Sequence, residues 1–589
     1  MDVGGFFRGR LGLWRTTAIV WLLVSIFLLA RSQVWHGLHN LDTDDAMRLV
    51  EVRDWLAGQG WFDTTQHRGW PAPGFSMHWS RIPDLAIGGL IALFGVALPR
   101  AGAEFAAMIV WPLVQLAATL PLVGLAARRM AGVRAVAPAM LLFALLGAAS
   151  WQFHPGRIDH HGAQMFGIFL MLVGVLGLRR RPWAGVAAGL GGAFALAIGL
   201  EGLVFWLMLC GMAGLVLARD GVLARGAVAA FGLTVAVATP LLAFASNPTR
   251  YVMSQACDQI AMPVLALAVV GGLGLALAAA LAGVVKSRLA RLALVALAGA
   301  LAAAAFVAAG PHCVRGPFAD IDPRLGPIWL NHVVEAHTLP WLLARMNVFG
   351  VTSAVQAALG LAAVGLLLWL RPVLIRPVAI VSGVFLVAVA LMFVQMRAIT
   401  YTAGLASPLI AAAMVVVARK AGTPRVHWGA AMLAGLLVFT SLPLGSGLVT
   451  NLARKKTDEG APKEAEGCFD PAAYKGLARL PAGLAVAPID SGPFILMSSP
   501  LSVVSAPYHR NAAGVLAGHE FLAGKPDQSR ALAERMGVRY VVMCRSGEIL
   551  RMLRFEPDGL GARLDAGEVP GWLEPVGSSA GPVRVYRVR

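Results

Sequence analysis

Apolar runs of about 18 to 25 residues recur along this chain from Thr16 to Val449. Each run is long enough to cross the roughly 30 Å of a bilayer's hydrocarbon core as an α-helix. Of the 589 residues, 58% are hydrophobic and only 14% are charged, whereas an ordinary soluble domain carries roughly 25% charged residues. The sequence therefore predicts a polytopic α-helical membrane protein, and it excludes a soluble enzyme and a single-span receptor.

Basic residues are concentrated in the short loops between the apolar runs. Arg8, Arg10 and Arg15 precede the first run, which places the N-terminus in the cytoplasm by the positive-inside rule. Later basic clusters all fall on the same side when the runs are counted in order: 128–134, 179–181, 219–225, 286–291, 371–376 and 419–425. The alternation predicts about 13 transmembrane helices with an outside C-terminus. It also explains the net charge of +18 without a nucleic-acid partner.

This orientation places the long polar connections outside. The two largest are 32–84 and 311–347, and the others are 153–163, 246–262 and 395–402. The apolar stretch 85–98 is too short to span and predicts an interfacial or re-entrant helix. We therefore expect a membrane domain over 1–450, followed by a polar linker over 451–467.

Beyond the linker the apolar runs shorten to strand length. Such runs occur at 484–488, 501–506 and 538–543, and a helical pattern covers 529–536. The segment 468–589 is therefore predicted to be a small external α/β domain, of ordinary domain size.

The five cysteines fit this orientation. Cys257 and Cys313 lie in predicted external loops, Cys468 and Cys544 lie in the external domain, and Cys210 lies inside a span. Two external disulfides are compatible with these positions, and so are unpaired thiols, because the sequence does not determine the pairing.

The first external loop contains Asp42, Asp44 and Asp45 within four residues. Three adjacent carboxylates repel one another unless a divalent metal or a cluster of arginines neutralises them. The alternative is a solvated helix cap, in which Asp42 or Asp44 caps a helix over 46–57.

A second group of polar residues, Asp159-His160-His161, follows the third span. Carboxylate and imidazole groups bind Mn²⁺, Mg²⁺ or Zn²⁺, and Asp159 and His161 can reach one ion from the start of a helix. The alternative is an interfacial loop that merely marks the membrane boundary.

Two further external sites carry charge. The loop 311–347 contains Glu335 together with Asp320, Asp322 and Arg324, and it is long enough to be functional, although a simple solvated loop is the alternative. Arg397 lies at the outer end of a span, where a guanidinium can hold a phosphate or snorkel to lipid headgroups. Glu201, at the outer end of the fifth span, receives no role. Since all these groups fall on one membrane face, they predict one external active site for an anionic, lipid-borne substrate.

The order of these motifs resembles that of the oligosaccharyltransferase catalytic subunits, which are membrane glycosyltransferases of the GT-C type. That family has an Asp after the first span, a D-x-D, D-x-E or D-H-H motif after the third, a Glu in the fifth external loop and an Arg near the end of the eleventh span. Asp159-His160-His161 matches the D-H-H form residue for residue. Asp44 or Asp45, Glu335 and Arg397 occupy the other three positions.

The resemblance implies roles for these residues. Asp45, Asp159 and His161 would bind Mn²⁺ or Mg²⁺, with Asp44 as the alternative to Asp45. Asp45 and Glu335 would orient or activate the acceptor. Arg397 would hold the phosphate of a polyprenyl-linked sugar donor.

One further segment looks like a feature of related bacterial GT-C sequences. It is Met77-His78-Trp79-Ser80-Arg81, and the likeness makes His78 and Arg81 candidates for contact with the donor.

The sequence departs from the oligosaccharyltransferases in the external domain. Their W-W-D-Y-G motif, which recognises the peptide sequon, is replaced by Pro488-Ile489-Asp490-Ser491-Gly492. Asp490, His509 and Arg510 are the candidates for the acceptor side. Without the indole rings, a protein acceptor is less expected than a glycan or a lipid.

We therefore expect a metal-dependent GT-C glycosyltransferase of a bacterial inner membrane, in contact with membrane lipid, with its site and C-terminal domain in the periplasm. It would move a sugar or glycan from a polyprenyl-phosphate or polyprenyl-diphosphate carrier to a cell-surface glycan or lipid. A protein oligosaccharyltransferase with a divergent acceptor site is the alternative within this fold. A polytopic transporter or lipid flippase is the alternative from another class, but it would place charges near the bilayer midplane and show repeats, neither of which is visible. An inactive polytopic scaffold would show no stabilisation by a metal ion.

Overall fold

The computed structural model of this chain describes residues 9–32, 34–39, 41–145, 147–179, 181–345, 347–370, 375–420, 467–577 and 581–589. The last predicted span and almost all of the predicted linker lie outside the described residues.

The membrane part is a bundle of apolar helices interrupted by two long polar connections. Its helices are α1 (Gly9–Ser32), α2 (Thr43–Leu56), α3 (Arg81–Phe94), α4 (Arg100–Ala131), α5 (Val136–Leu145), α6 (Gly147–Ser150), α7 (His161–Val175), α8 (Pro182–Ile198), α9 (Leu203–Asp220), α10 (Val222–Ser246), α11 (Thr249–Val252), α12 (Met262–Leu281), α13 (Arg288–Ala309), α14 (Leu325–Ile328), α15 (Leu339–Ala344), α16 (Val348–Leu370), α17 (Ile375–Leu391) and α18 (Ile399–Lys420).

Eight helices among the described residues are long and apolar enough to cross a membrane: α1, α4, α9, α10, α12, α13, α16 and α18. A ninth span results if α5 and α6, with the short turns beside them, count as one segment bent by 73°. The helices α7, α8 and α17 are apolar but shorter. The chain is therefore a polytopic membrane protein, while the count of about 13 spans stays a prediction.

The predicted first external loop contains regular secondary structure. The N-terminus of α2 is capped by Asp42, whose carboxylate accepts a hydrogen bond from the Asp44 backbone N–H at 3.3 Å. A short hairpin follows, formed by β1 (Thr65–Gln66) and β2 (Phe75–Ser76), and then α3. The capping interpretation therefore applies to Asp42, and α3 covers most of the short apolar stretch 85–98.

A buried ion network fixes the base of this loop. Both oxygens of Asp84 are used: Arg48 Nη1 donates to Oδ1 at 2.9 Å, and Arg81 Nη1 donates to Oδ2 at 2.9 Å. All three side chains are at most 2% exposed. Because buried charges are costly unless they are paired, this network joins α2 firmly to α3.

The longest of the described helices, α4, runs from the bundle to the predicted external side of the molecule. Its 32 residues span about 48 Å, which exceeds the hydrocarbon core by about 18 Å. Near its first turn Glu104 accepts two hydrogen bonds from Arg53, at 3.0 and 2.7 Å. Arg53 also donates to the Met497 carbonyl of the C-terminal segment at 2.6 Å. One guanidinium thus joins α4, α2 and the C-terminal segment.

The C-terminal segment folds around a mixed sheet. Five strands have the order β4-β3-β5-β7-β6, in which β4, β3 and β5 are parallel and β7 and β6 are antiparallel to their neighbours. The strands are β3 (Leu484–Val486), β4 (Ser502–Val503), β5 (Val538–Met543), β6 (Leu573–Pro575) and β7 (Arg584–Val588). The helices are α19 (Gly492–Ser498), α20 (Ala512–Ala523), α21 (Pro526–Met536), α22 (Gly547–Phe555) and α23 (Leu560–Asp565).

The first external loop and the C-terminal segment share one apolar core. Val50 and Phe75 of the loop belong to the same buried cluster as Phe494 and Tyr540. The Trp70 backbone N–H also donates to the Val503 carbonyl at 3.0 Å. The two segments therefore form one packed unit, named the external unit after its predicted side of the membrane.

Both cysteine pairs that the predicted orientation places outside form disulfides. Cys257 bonds to Cys313 between two loops of the membrane part, and Cys468 bonds to Cys544 within the C-terminal segment. Cys210 of α9 is free. Disulfides are typical of oxidising compartments, in keeping with the predicted external side of these loops.

We expect one free thiol per chain. Alkylation of the unfolded, unreduced protein should label Cys210 alone, and alkylation after reduction should label all five cysteines. Intact-mass spectrometry counts the labels, with the reduced sample as the control. Three or five labels without reduction would contradict the disulfide assignment.

Candidate functional site

The start of α2 is joined to the segment 157–159 by Asp45. Its Oδ1 atom accepts backbone hydrogen bonds from Ile158 and Asp159, at 2.8 and 2.9 Å. Its Oδ2 atom accepts from Arg157 Nη1 at 2.7 Å, and the same nitrogen lies 2.9 Å from an Asp42 oxygen. Two segments more than 100 residues apart therefore meet, and both oxygens of Asp45 already have protein partners.

Asp159 is held at the N-terminus of α7 by His160. Its Oδ1 atom accepts the His160 backbone N–H at 2.7 Å and also contacts the ring Nδ1 of the same residue. The His160 Nε2 atom lies 3.2 Å from a carboxylate oxygen of Glu201. Both ring nitrogens of His160 thus face carboxylates, which outweigh the effect of burial and raise the pKa of His160 to about 10.

The second carboxylate oxygen of Asp159 fits a metal ion. It is buried, and no donor among the described residues hydrogen-bonds to it. His161 Nε2 lies 3.4 Å away, a separation suited to two ligands of one cation. One potential ligand atom from each of Asp159, His160 and His161 lies within 4.8 Å of the others. An oxygen and imidazole donor set of this kind suits Mn²⁺, Mg²⁺ or Zn²⁺.

Asp44 also faces this region. Burial, followed by the carboxylates of Asp159 and Asp42, raises the pKa of Asp44 well above the usual aspartate range, while His160 and Arg397 act in the opposite direction. Burial also raises the pKa of Asp45 to about 7, against the effect of Arg157. Carboxylates crowded in this way become protonated unless a cation neutralises them, so the cluster has the electrostatics of a cation site.

Arg397 lies between two carboxylates beside this cluster. Its Nε atom donates to Glu335 at 3.1 Å, and its Nη1 atom lies 3.8 Å from Glu201. The side chain of Arg397 is 34% exposed and that of Glu335 is 45% exposed. The loop carrying Glu335 and the start of α18 therefore meet at the carboxylate cluster, with a partly accessible guanidinium between them.

Trp79 lies between this cluster and the segment that carries the acceptor-side candidates His509 and Arg510. Its ring centroid lies 6.1 Å from that of His160 and 5.4 Å from that of Tyr508. The ring of His78 lies 4.7 Å from that of His509. His78, a candidate for donor contact, and His509, a candidate for the acceptor side, are therefore neighbours.

Two predicted residues have other surroundings. Arg81 uses its guanidinium for Asp84 and for the backbone carbonyl of Asp63, so its contacts are those of a group that supports the loop. Asp490 lies on a turn of the C-terminal segment and acts electrostatically on Tyr474 and Glu548 there. A contact of either residue with a substrate stays a prediction.

Three residues in and around the site received no role from the sequence. Arg157 lies two residues before Asp159, and that position was the available signal. Glu201 stood out only as a carboxylate at the end of a span. Asp258, which Arg510 and His509 contact, gave no signal, because it is a single acid in a polar loop.

No protein-family model matches the sequence, and no curated protein matches it. Solved structures do match. The archaeal oligosaccharyltransferase AglB from Archaeoglobus fulgidus, in complex with an inhibitory peptide and a dolichol-phosphate, is 14% identical, with a TM-score of 0.64 over 96% of this chain and 74% of that chain. The oligosaccharyltransferase of the same organism tethered with an acceptor peptide containing the NVT sequon is 15% identical, with a TM-score of 0.63 over 98% and 74%. Its complex with Zn and sulfate is 15% identical, with a TM-score of 0.58 over 96% and 72%.

These likenesses cover nearly the whole chain at low identity, and they therefore concern the fold. They include both the helical bundle and the C-terminal segment. The resemblance drawn from the order of motifs is confirmed at the level of the fold: the chain has the GT-C fold of the oligosaccharyltransferases.

Proposed function

We propose that this protein is a metal-dependent glycosyltransferase that moves a sugar or glycan from a polyprenyl-phosphate or polyprenyl-diphosphate carrier to an acceptor on the periplasmic face of a bacterial inner membrane. The observation that carries the proposal is the meeting of Asp159, His161, Glu335 and Arg397, which come from three distant segments, at one polar cluster. The structural relatives support a lipid-linked donor, since one of them is in complex with a dolichol-phosphate.

We assign the metal to Asp159 and His161, with Asp44 as the carboxylate from the first loop. Asp45 is the weaker candidate because Arg157 and two backbone N–H groups already occupy its oxygens. When bound, Mn²⁺ or Mg²⁺ would neutralise the charge that develops on the leaving phosphate. Arg397 would bind an oxygen of that phosphate, and Glu335 would keep the guanidinium in place until the donor arrives.

The acceptor is proposed to be a glycan or a lipid. The turn that stands in place of W-W-D-Y-G carries no indole, and its Ile489 backbone N–H donates to buried Glu548 at 2.6 Å. This turn therefore serves the packing of its own domain. Protein glycosylation remains the second candidate because one structural relative carries a tethered acceptor peptide.

The function is tested in a strain that lacks the chain. We expect polyprenyl-linked sugar to accumulate and one surface glycan or glycolipid to disappear, as measured by mass spectrometry of lipid extracts and surface polysaccharide. Loss of periplasmic glycopeptides with an unchanged surface glycan would favour the protein acceptor. An unchanged pool of lipid-linked sugar would reject the proposal.

Metal binding should be visible as stabilisation of the purified protein. Mn²⁺ at about 100 times its dissociation constant should stabilise the fold by about 2.7 kcal/mol relative to EDTA. The variant Asp44→Asn should lose most of this effect if Asp44 is the ligand, whereas Asp45→Asn should lower stability with or without Mn²⁺. The thermal unfolding midpoint is the readout. The opposite pattern would assign the metal to Asp45.

Replacement of Arg397 by lysine should weaken transfer. Lysine keeps the charge but loses the planar fork that binds two oxygens, so we expect kcat/KM for the donor to fall by about 10- to 100-fold. Steady-state kinetics with a labelled lipid-linked sugar measures the loss. The control is Arg324→Lys in the same external region, where the arginine pairs with Asp322 on the surface. Equal losses in both variants would contradict the proposed role.

A further inference from the structure

A second group of metal-ligating side chains lies where three distant segments meet. His78 belongs to the first external loop, Asp258 to the loop between α10 and α12, and His509 to the C-terminal segment. One potential ligand atom from each residue lies within 4.8 Å of the other two. None of the three belongs to the Asp159 cluster.

The donor set is that of a divalent transition metal. Two imidazoles and one carboxylate form a recurrent combination for such ions. The Nδ1 atom of His78 is buried, and the described residues offer it no hydrogen-bond partner. Buried polar atoms normally have a partner, and a bound metal ion would supply one.

Asp258 is already oriented for this role. Arg510 donates from Nη2 to Oδ1 and from Nε to Oδ2, both at 2.8 Å, and His509 Nε2 lies 2.7 Å from Oδ2. Two carboxylate oxygens offer about four acceptor positions, so coordination of an ion remains available. Metal-bound carboxylates commonly have such an outer partner. Because the positive charge of Arg510 disfavours a loosely held cation, the site should prefer Zn²⁺, which binds imidazole strongly, to Mg²⁺.

We propose that His78, Asp258 and His509 form a second metal site, which takes Zn²⁺ or a similar transition ion and ties the external unit to the loop between α10 and α12. His78 and His509 both belong to the external unit, whereas Asp258 belongs to the membrane part. The adjacent Cys257–Cys313 disulfide also holds the Asp258 loop. This inference does not depend on the glycosyltransferase proposal.

The test uses the full-length protein with the Asp159 cluster disabled by Asp159→Asn and His161→Ala. Isothermal titration with Zn²⁺ in detergent should detect one remaining site, and Zn²⁺ should raise the unfolding midpoint. Adding His78→Ala or His509→Ala should weaken the binding at least about tenfold and remove the rise in midpoint. The control is His67→Ala, an exposed histidine of the same loop that pairs with Asp63.

The fold of each variant is followed by its unfolding midpoint without metal, and His78→Gln, which retains a polar side chain, replaces His78→Ala if the latter does not fold. Absence of Zn²⁺ binding in the disabled background would overturn the inference, and so would binding that survives substitution of both histidines. If Zn²⁺ binds at this site in the disabled background and the unmodified protein shows no transfer activity, the inference is supported while the glycosyltransferase proposal is rejected, so the two failures are distinguishable.

Discussion

Replacing Asp159 with asparagine should reduce sugar transfer by about 10²- to 10³-fold or more while the protein remains folded. Asparagine preserves the size of the side chain and an oxygen that accepts from the His160 backbone N–H. It removes the charge of the buried oxygen that accepts no hydrogen bond from the described residues. Since that oxygen is our principal ligand for the cation, both Mn²⁺ stabilisation and transfer should be lost together.

A matched variant separates this effect from a general loss of negative charge. Asp322→Asn removes an aspartate from an external loop, where it forms a surface pair with Arg324. We expect its transfer rate and its response to Mn²⁺ to equal those of the unmodified chain. Normal transfer by a well-expressed Asp159→Asn protein would refute the metal-site assignment.

The second large effect concerns stability. Substitution of Asp84 by alanine should lower the free energy of unfolding by about 3–5 kcal/mol, because it leaves Arg48 and Arg81 buried without a carboxylate that bridges them. The loss should appear as a lower unfolding midpoint and a lower yield of folded protein in detergent.

The comparison variant is Asp527→Ala, an exposed residue in the first turn of α21. Removing an acid from a helix N-terminus costs about 0.3–1 kcal/mol, so its midpoint should change little. The companion variant Arg81→Ala distinguishes support of the loop from donor binding. A loss of stability indicates support, whereas normal stability with a raised KM for the donor would restore the donor role suggested by the sequence.

Local patterns predicted parts of the C-terminal segment. The strand predicted at 538–543 is β5, because a continuous apolar run bounded by polar residues is typical of a buried strand. The helix predicted at 529–536 begins earlier, at Pro526, because its first turn is polar and carries no apolar periodicity. Strand β7 was not predicted, since Arg584 and Arg587 conceal its short apolar pattern.

In the site too, the local relations could be predicted from the sequence and the long-range ones could not. Asp159 and His161 could be paired from the sequence because they are neighbours at the start of one helix. The sequence could not decide between Asp44 and Asp45 as the metal ligand. The decision depends on where the helix begins, because the start at Asp42 directs the side chain of Asp45 toward Arg157. The approach of His78, Asp258 and His509 was inaccessible for a different reason: their segments are adjacent only after the whole chain has folded.

The continuous helix α4 limits where insertions and deletions can occur in this sequence. Each residue of an α-helix advances about 100° around the helix axis. Deleting one residue between the bundle and Glu104 would therefore place that carboxylate on another face of α4. Arg53 would then lose its hydrogen bonds to Glu104. The external unit would also be rotated relative to the helices of the bundle. Insertions and deletions should therefore be tolerated in the surface loops, whereas within α4 they should be damaging.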